Sequence, residues 1–280
     1  SLNNISGYTG LTYSASIAQI TGAELPISIN NLTIDNPLGV SLGSSVSVNT
    51  NLLITNGSLI TGANNLTLGV SAAATIGSTG TLSITGGTTD FASRPVTIQS
   101  SSSNTGRIAS VTGDNVATGL INATAVTQER YIPSKSSRAW SLISSPVSQA
   151  LSAGWQQQIH ITGANTGTTA CTTDATTGFD VTTTNAPSAY TYDASLTAGS
   201  RWVVVPNTLS TNTAAGKGFR LNIRGPRSAG CALLDGTSLV PTAVTLSSTG
   251  ILSNANKNLG SFTITYPNVG ANNYVLVGNP

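Results

Sequence analysis

VSVNTNLLITNGSLITGANNLTL, residues 46–68, decides the fold. It contains the triplets Val46-Ser47-Val48, Leu52-Leu53-Ile54 and Leu66-Thr67-Leu68, with Leu59-Ile60 between the last two. Side chains alternate across a strand with period two. Each triplet therefore sends two branched apolar groups to one face and its middle residue to the other. Asn56-Gly57 and Asn64-Asn65 punctuate the gaps as turn formers.

Working outward, the same pattern runs from residue 30 to about 110: Leu32-Thr33-Ile34, Ala74-Thr75-Ile76, Leu82-Ser83-Ile84 and Val96-Thr97-Ile98. The middle position is usually a hydroxyl, and the branched flanks suit a pleated, half-buried surface. Strands this short are weak as isolated hairpins. Stacked as successive coils, they bury one continuous core. The expectation is an all-β chain that opens with a parallel β-helix-like solenoid of uneven coils. A compact antiparallel sandwich would use the same strands and turns, but the internal similarity favours the repeat. Residues 1–29 read as a cap, with Tyr8, Leu11, Tyr13, Ile17 and Ile20 covering an open coil end.

Near residue 128 the style changes. Arg130, Tyr131, Lys135, Arg138 and Trp140 arrive, and all 3 tryptophans lie beyond this point. The division expected is a solenoid with its cap at 1–127 and a β-sandwich or jelly roll at 128–280. Candidate strands are 138–143, 188–192, 201–205, 218–223, 244–246, 262–266 and 274–277, with one short helix between Gln149 and Gln157.

Charge is scarce. The 280 residues include 11 Lys or Arg, 9 Asp or Glu and 1 His, so 7% are charged where about a quarter is usual. The net charge of +2 is too small to hold a polyanion, so no nucleic acid is expected. No run of about 18 apolar residues exists, so no membrane span is expected. Ser1-Leu2-Asn3-Asn4 shows no leader character and reads as a processed start or a cytosolic one. Cys171 and Cys231 are either a disulfide or two buried thiols; composition favours the bridge and an oxidising compartment.

Catalytic chemistry finds little material. A Ser-His-acid triad would have to use His160, which sits in Ile159-His160-Ile161 and so points away from its isoleucines, toward solvent. A glycosidase needs two facing carboxylates, and Glu129, Asp174, Asp180, Asp193 and Asp235 show no telling spacing. Asp174 and Asp180, with carbonyls, are the calcium candidates, although the EF-hand pattern fails at Thr176 and Gly178. Gly216-Lys217-Gly218 lacks the spacing of a phosphate loop. Lys217, Arg220, Arg224 and Arg227, with Arg201 nearby, read as a basic stripe for a glycan or other anion, with Phe219, Leu221 and Ile223 facing inward. An ice-binding array would need more regular coils. No enzyme and no cofactor are expected.

The second half resembles a module of secreted and cell-surface proteins of Bacteroidetes, many of them type IX secretion substrates. The resemblance rests on Glu129-Arg130-Tyr131-Ile132-Pro133, Arg138-Ala139-Trp140, Ser144-Ser145-Pro146-Val147, His160-Ile161-Thr162-Gly163 and Gly178-Phe179-Asp180. It continues through Asn185-Ala186-Pro187-Ser188, Tyr190-Thr191-Tyr192, Gly216-Lys217-Gly218-Phe219-Arg220, Arg224-Gly225 and Val277-Gly278-Asn279-Pro280. It covers about 129–280. The first half is similar in composition to repeats that precede such modules. The resemblance implies an adhesin-like surface protein without catalytic residues, and a continuation beyond Pro280.

These lines converge on an extracellular structural or adhesive subunit of a bacterial surface assembly. Its partners would be further copies or other surface proteins, joined by strand addition or end-to-end packing. The alternative is a carbohydrate-binding adhesin module stacking sugars on Tyr131, Trp140, Trp155, Tyr190, Tyr192 or Trp202. Alternation with Leu142 places Trp140 in the core; Trp202 is undecided.

Overall fold

The structure, a computed structural model, describes residues 9–109, 119–214, 216–235, 240–252 and 276–278. The chain is all-β and falls into two units: 1–130 with 250–261, and 131–249 with 262–280. The first boundary between them falls at 130/131, inside the strand Val126–Ile132.

The first unit is a curled parallel sheet of about 5 turns. Its strands are β1 (Gly10–Tyr13), β2 (Gln19–Ile20), β3 (Ser28–Ser41), β4 (Val46–Ile60), β5 (Leu66–Leu68) and β6 (Ala73–Ser83). Then come β7 (Thr88–Asp90), β8 (Val96–Ile98), β9 (Arg107–Ala109), β10 (Gly119–Ile121) and β11 (Val126–Ile132). Strands β3, β4 and β6 are long because each bends round a corner and serves two faces. β4, for example, pairs with β6 both at Ile54↔Ile76 and at Leu59↔Leu82.

Like sits on like along the axis. Ile34, Ile54, Ile76 and Ile98 stack in register and are buried. Val40, Leu59 and Leu82 form a second buried column. Each isoleucine removed from water contributes about 2–3 kcal/mol, taken against an extended chain. The outward positions follow the opposite parity: Thr12, Thr33, Leu53, Thr75, Thr97 and Thr127 occupy one file.

Corners carry the turn chemistry. Asn36 is fully buried at one corner, where its amide donates to the Ile17 carbonyl and its side-chain oxygen accepts from the Leu38 N–H. Gly57 stacks on it with φ +74°, and a Cβ there would overlap the Asn36 carbonyl, so only glycine fits. Asn51 donates to Asn31 one coil below at 3.0 Å, satisfying side chains on the outer surface.

The second unit contains a five-stranded antiparallel sheet: β12 (Ala139–Ser144), β13 (Ala189–Tyr192), β14 (Trp202–Val204), β15 (Gly216–Ile223) and β17 (Val277–Gly278). β16 (Val244–Gly250) adds Val244 and Leu246 to its core. The segment proposed as a helix is a series of turns ending in a single 3-10 turn, Trp155–Gln157. It delivers Trp155 edge-on to Phe219, ring centroids 5.6 Å apart. Ile143, Leu151, Ile159, Ile161, Phe179 and Leu221 complete that core. The proposed strand 262–266 lies outside the described residues. No helix among the described residues is long and apolar enough to cross a membrane.

Candidate functional site

Two clusters of polar chemistry stand out, both in the second unit. The first is buried. His160 is 3% exposed, not solvent-facing: strand alternation fails there because residues 159–163 run as loop beneath the sheet. Its Nδ1 donates to Asp180 Oδ2 at 3.0 Å. The Ile161 N–H donates to the same oxygen at 3.1 Å. Arg227 then grips Asp180 from the other side, Nη1 to Oδ2 and Nη2 to Oδ1, each 2.7 Å.

Burial pushes the Asp180 pKa up, but the hydrogen bonds and charges of His160 and Arg227 outweigh it, and the net shift is down. The carboxylate is ionised and paired. Arg227 is fixed further by its backbone N–H to the Gln158 carbonyl at 2.6 Å and by Nη1 to the Gln156 carbonyl at 3.1 Å. Four residues on, Cys231 bridges to Cys171, with Cα atoms 5.5 Å apart. The disulfide expected from the sequence is formed, and the Cys171 N–H pairs with the Val181 carbonyl beside Asp180.

A triad needs a nucleophile in reach of the histidine. Nε2 of His160 is buried with no hydrogen-bond partner among the described residues, and both cysteines are bridged. The arrangement pins loops together. A Gly-x-Ser-x-Gly pentad does occur, Gly39-Val40-Ser41-Leu42-Gly43. It spans the end of β3, where Ser41 pairs with Ile20 and Ile60. A nucleophile elbow instead requires a sharp strand-to-helix turn.

Asp174 and Asp180 take separate sets of partners. Asp174 closes its own loop, accepting from the N–H of Thr176 and from the N–H and hydroxyl of Thr177 on Oδ1, and from the N–H and hydroxyl of Thr166 on Oδ2. These donors, the Thr177 and Thr166 N–H groups foremost, hold its pKa well below the usual carboxylate range against the opposing effect of burial. A calcium ion would have to displace five donors there and an arginine at Asp180. Among the described residues no three His, Cys, Asp or Glu side chains gather as a metal site.

The second cluster lies on the outward side of the sheet and is half-buried apart from the exposed Trp140 and Leu142. Phe219, Leu221 and Ile223 of β15 do face inward, so Arg220 faces out. Register sets Leu142 and Tyr190 on either side of it. Its guanidinium lies 4.2 Å from the Trp140 ring centroid, 5.2 Å from Trp202 and 5.8 Å from Tyr190. Trp140 and Tyr190 meet edge to face at 5.5 Å, as do Tyr192 and Trp202 at 5.1 Å.

Trp140 and Leu142 are thus not core: they are 38% and 62% exposed. Ile143, of opposite parity, is the inward residue of β12. Trp155 is core and offers no stacking surface. Nor do the basic residues form one stripe. Arg220 lies on this outer face, Arg224 is buried with Nη2 on the Thr162 hydroxyl at 3.2 Å, and Arg227 holds Asp180. Lys217 lies on the inner side, 5.1 Å from the Phe219 ring, and burial pushes its pKa down.

Segments far apart in the sequence therefore meet here: Arg138-Ala139-Trp140, Tyr190-Thr191-Tyr192 and the Gly216–Arg220 stretch share one sheet. No protein-family model, curated protein or solved structure matches the chain.

Proposed function

We propose that this chain is an extracellular structural and adhesive subunit of a bacterial surface assembly, of the Bacteroidetes type IX secretion kind that its second half resembles. The observation that carries the reading is the solenoid's outer surface. Residues 36–89 hold no Asp, Glu, Lys, Arg or His, yet they build more than two successive coils. Uncharged, amide- and hydroxyl-coated coils pack against copies of themselves without repulsion, and a hydrogen-bonded stack is a stiff spacer. The Cys171–Cys231 bridge supports an oxidising compartment.

Assembly runs through the first coil. Among the described residues β1 and β2 pair on one side alone, with β3. Ile17 and Ile20, beside that edge, are exposed. A strand of a second copy adds to this edge by main-chain pairing. Electron microscopy of the purified protein across rising concentration tests this. Filaments or end-to-end oligomers are expected, and monodisperse monomers at every concentration would overturn it.

The outward aromatic face favours a second role beside the first, binding of carbohydrate. Trp140, Tyr190 and Trp202 gather round Arg220 on the outward side of this sheet, Trp140 exposed and the other two half-buried, and such rings bind well where one side is apolar and the other wet. A glycan array tests it: saturable binding is expected, lost in Trp202→Ala.

A further inference from the structure

We infer that the β12–β13–β14–β15 face is a binding site for acidic saccharides, with Arg220 as the carboxylate anchor and Trp140 and Trp202 as its walls. The inference rests on the carbohydrate role proposed above and names the ligand class.

Arg220 is the outward cation of β15, half-buried among the rings of the face. Among the described residues its guanidinium makes ring contacts at Trp140, Trp202 and Tyr190 and no hydrogen bond or ion pair. Its neighbours show the contrast. Arg201 donates to the Leu196 carbonyl, Arg224 to Thr162 and Arg227 to Asp180. Guanidinium donors are five and fixed in a plane. With three ring centroids 4.2–5.8 Å from its Cζ, the guanidinium is held by the rings, and its N–H donors are unused by the described protein.

No outward position of these four strands is Asp, Glu or Lys. Asp193, just past β13, is exposed, and its Oδ1 is taken up by the N–H and hydroxyl of Ser195. Among the described residues no carboxylate pairs with Arg220, and the complementary ligand is an anion. Carboxylate matches the guanidinium fork in a bidentate geometry. Flanking indole and phenol rings suit the C–H faces of a pyranose, which a bare inorganic anion lacks. Preorganisation of the arginine by its rings lowers the ordering cost of binding.

Affinity electrophoresis of the full chain in gels containing polygalacturonate, or its methyl ester, tests the inference. The two polymers share rings and differ in the free carboxylate. Retardation at least 10-fold stronger on polygalacturonate is expected, with most of it lost in Arg220→Leu and part recovered in Arg220→Lys. Arg107→Gln, on the solenoid, removes the same charge and should retain binding. Equal retardation by both polymers, or an unchanged Arg220→Leu, would overturn the acidic-ligand inference and leave carbohydrate binding standing. A loss in Arg107→Gln as large as in Arg220→Leu would also overturn it, since bulk charge would then be responsible. Absence of retardation on either polymer, together with no binding on a neutral glycan array, would remove both. Circular dichroism of each variant separates lost binding from lost folding; if Arg220→Leu unfolds, Trp202→Ala must reproduce the loss or the inference fails.

Discussion

Arg227 holds Asp180 through two hydrogen bonds of 2.7 Å, and the carboxylate has no solvent exposure at all. Breaking a buried pair by deleting one partner leaves the other charge uncompensated. Arg227→Met should therefore cost about 3 kcal/mol. Urea unfolding followed by fluorescence of the buried Trp155 measures it. A cost under about 1 kcal/mol would place the pair with ordinary surface ion pairs.

Acid should destabilise the second unit through its aspartates. Asp174 titrates low because the Thr177 and Thr166 N–H groups bind its charged form. Asp180 titrates low because His160 and Arg227 outweigh its burial. A group whose folded pKa is depressed binds fewer protons folded than unfolded, so its stabilisation rises with pH. That contribution is complete above the unfolded value of about 3.9 and fades as pH falls through the folded values. Unfolding midpoints between about pH 2 and 7 should show a steep loss below about pH 4. Asp174→Asn should flatten the slope; an identical slope would mean that its loop does not unfold with the rest.

The Cys171–Cys231 bridge ties the loop behind Asp180 to the segment that carries Arg227. It spans 60 residues, and removing it should cost about 2–4 kcal/mol, chiefly through the unfolded chain. Thermal melts with and without reductant read this directly. Arg227→Met should cost less in the reduced protein than in the oxidised one, since the loops it joins are then less well placed.

How much of this was legible in the residues depends on what sets each position. Triplets such as Leu32-Thr33-Ile34 announce solenoid strands because local alternation alone decides their faces. The coil length stayed hidden: 20 residues separate the paired Ile34 and Ile54 and 22 the paired Ile54 and Ile76 (54 − 34 and 76 − 54), but several strands per coil scatter the visible spacing. β12 defeated the same logic, because Trp140 and Leu142 on one parity and Ala139 and Ile143 on the other are both apolar; only pairing with β15 chooses between them. His160 and Asp180 meet across loops, where no period operates. The one signal for their contact was that a lone histidine stood between two isoleucines.

Within the solenoid, adjacent residues should respond oppositely to the same change. Ile54 lies in the buried isoleucine column, whereas Leu53, next to it, lies in the outward file between Thr33 and Thr75. Ile54→Ala opens a cavity flanked by Ile34 and Ile76 and should cost about 2–5 kcal/mol. Leu53→Thr completes the outward hydroxyl file and should change stability by no more than about 0.5 kcal/mol. A one-residue slip in the pairing of β4 would reverse the two results, because register with period two moves every side chain to the other face. Denaturant melts of the two variants therefore test the register itself: a costly Leu53→Thr with a tolerated Ile54→Ala would show the coils to be wound on the wrong parity.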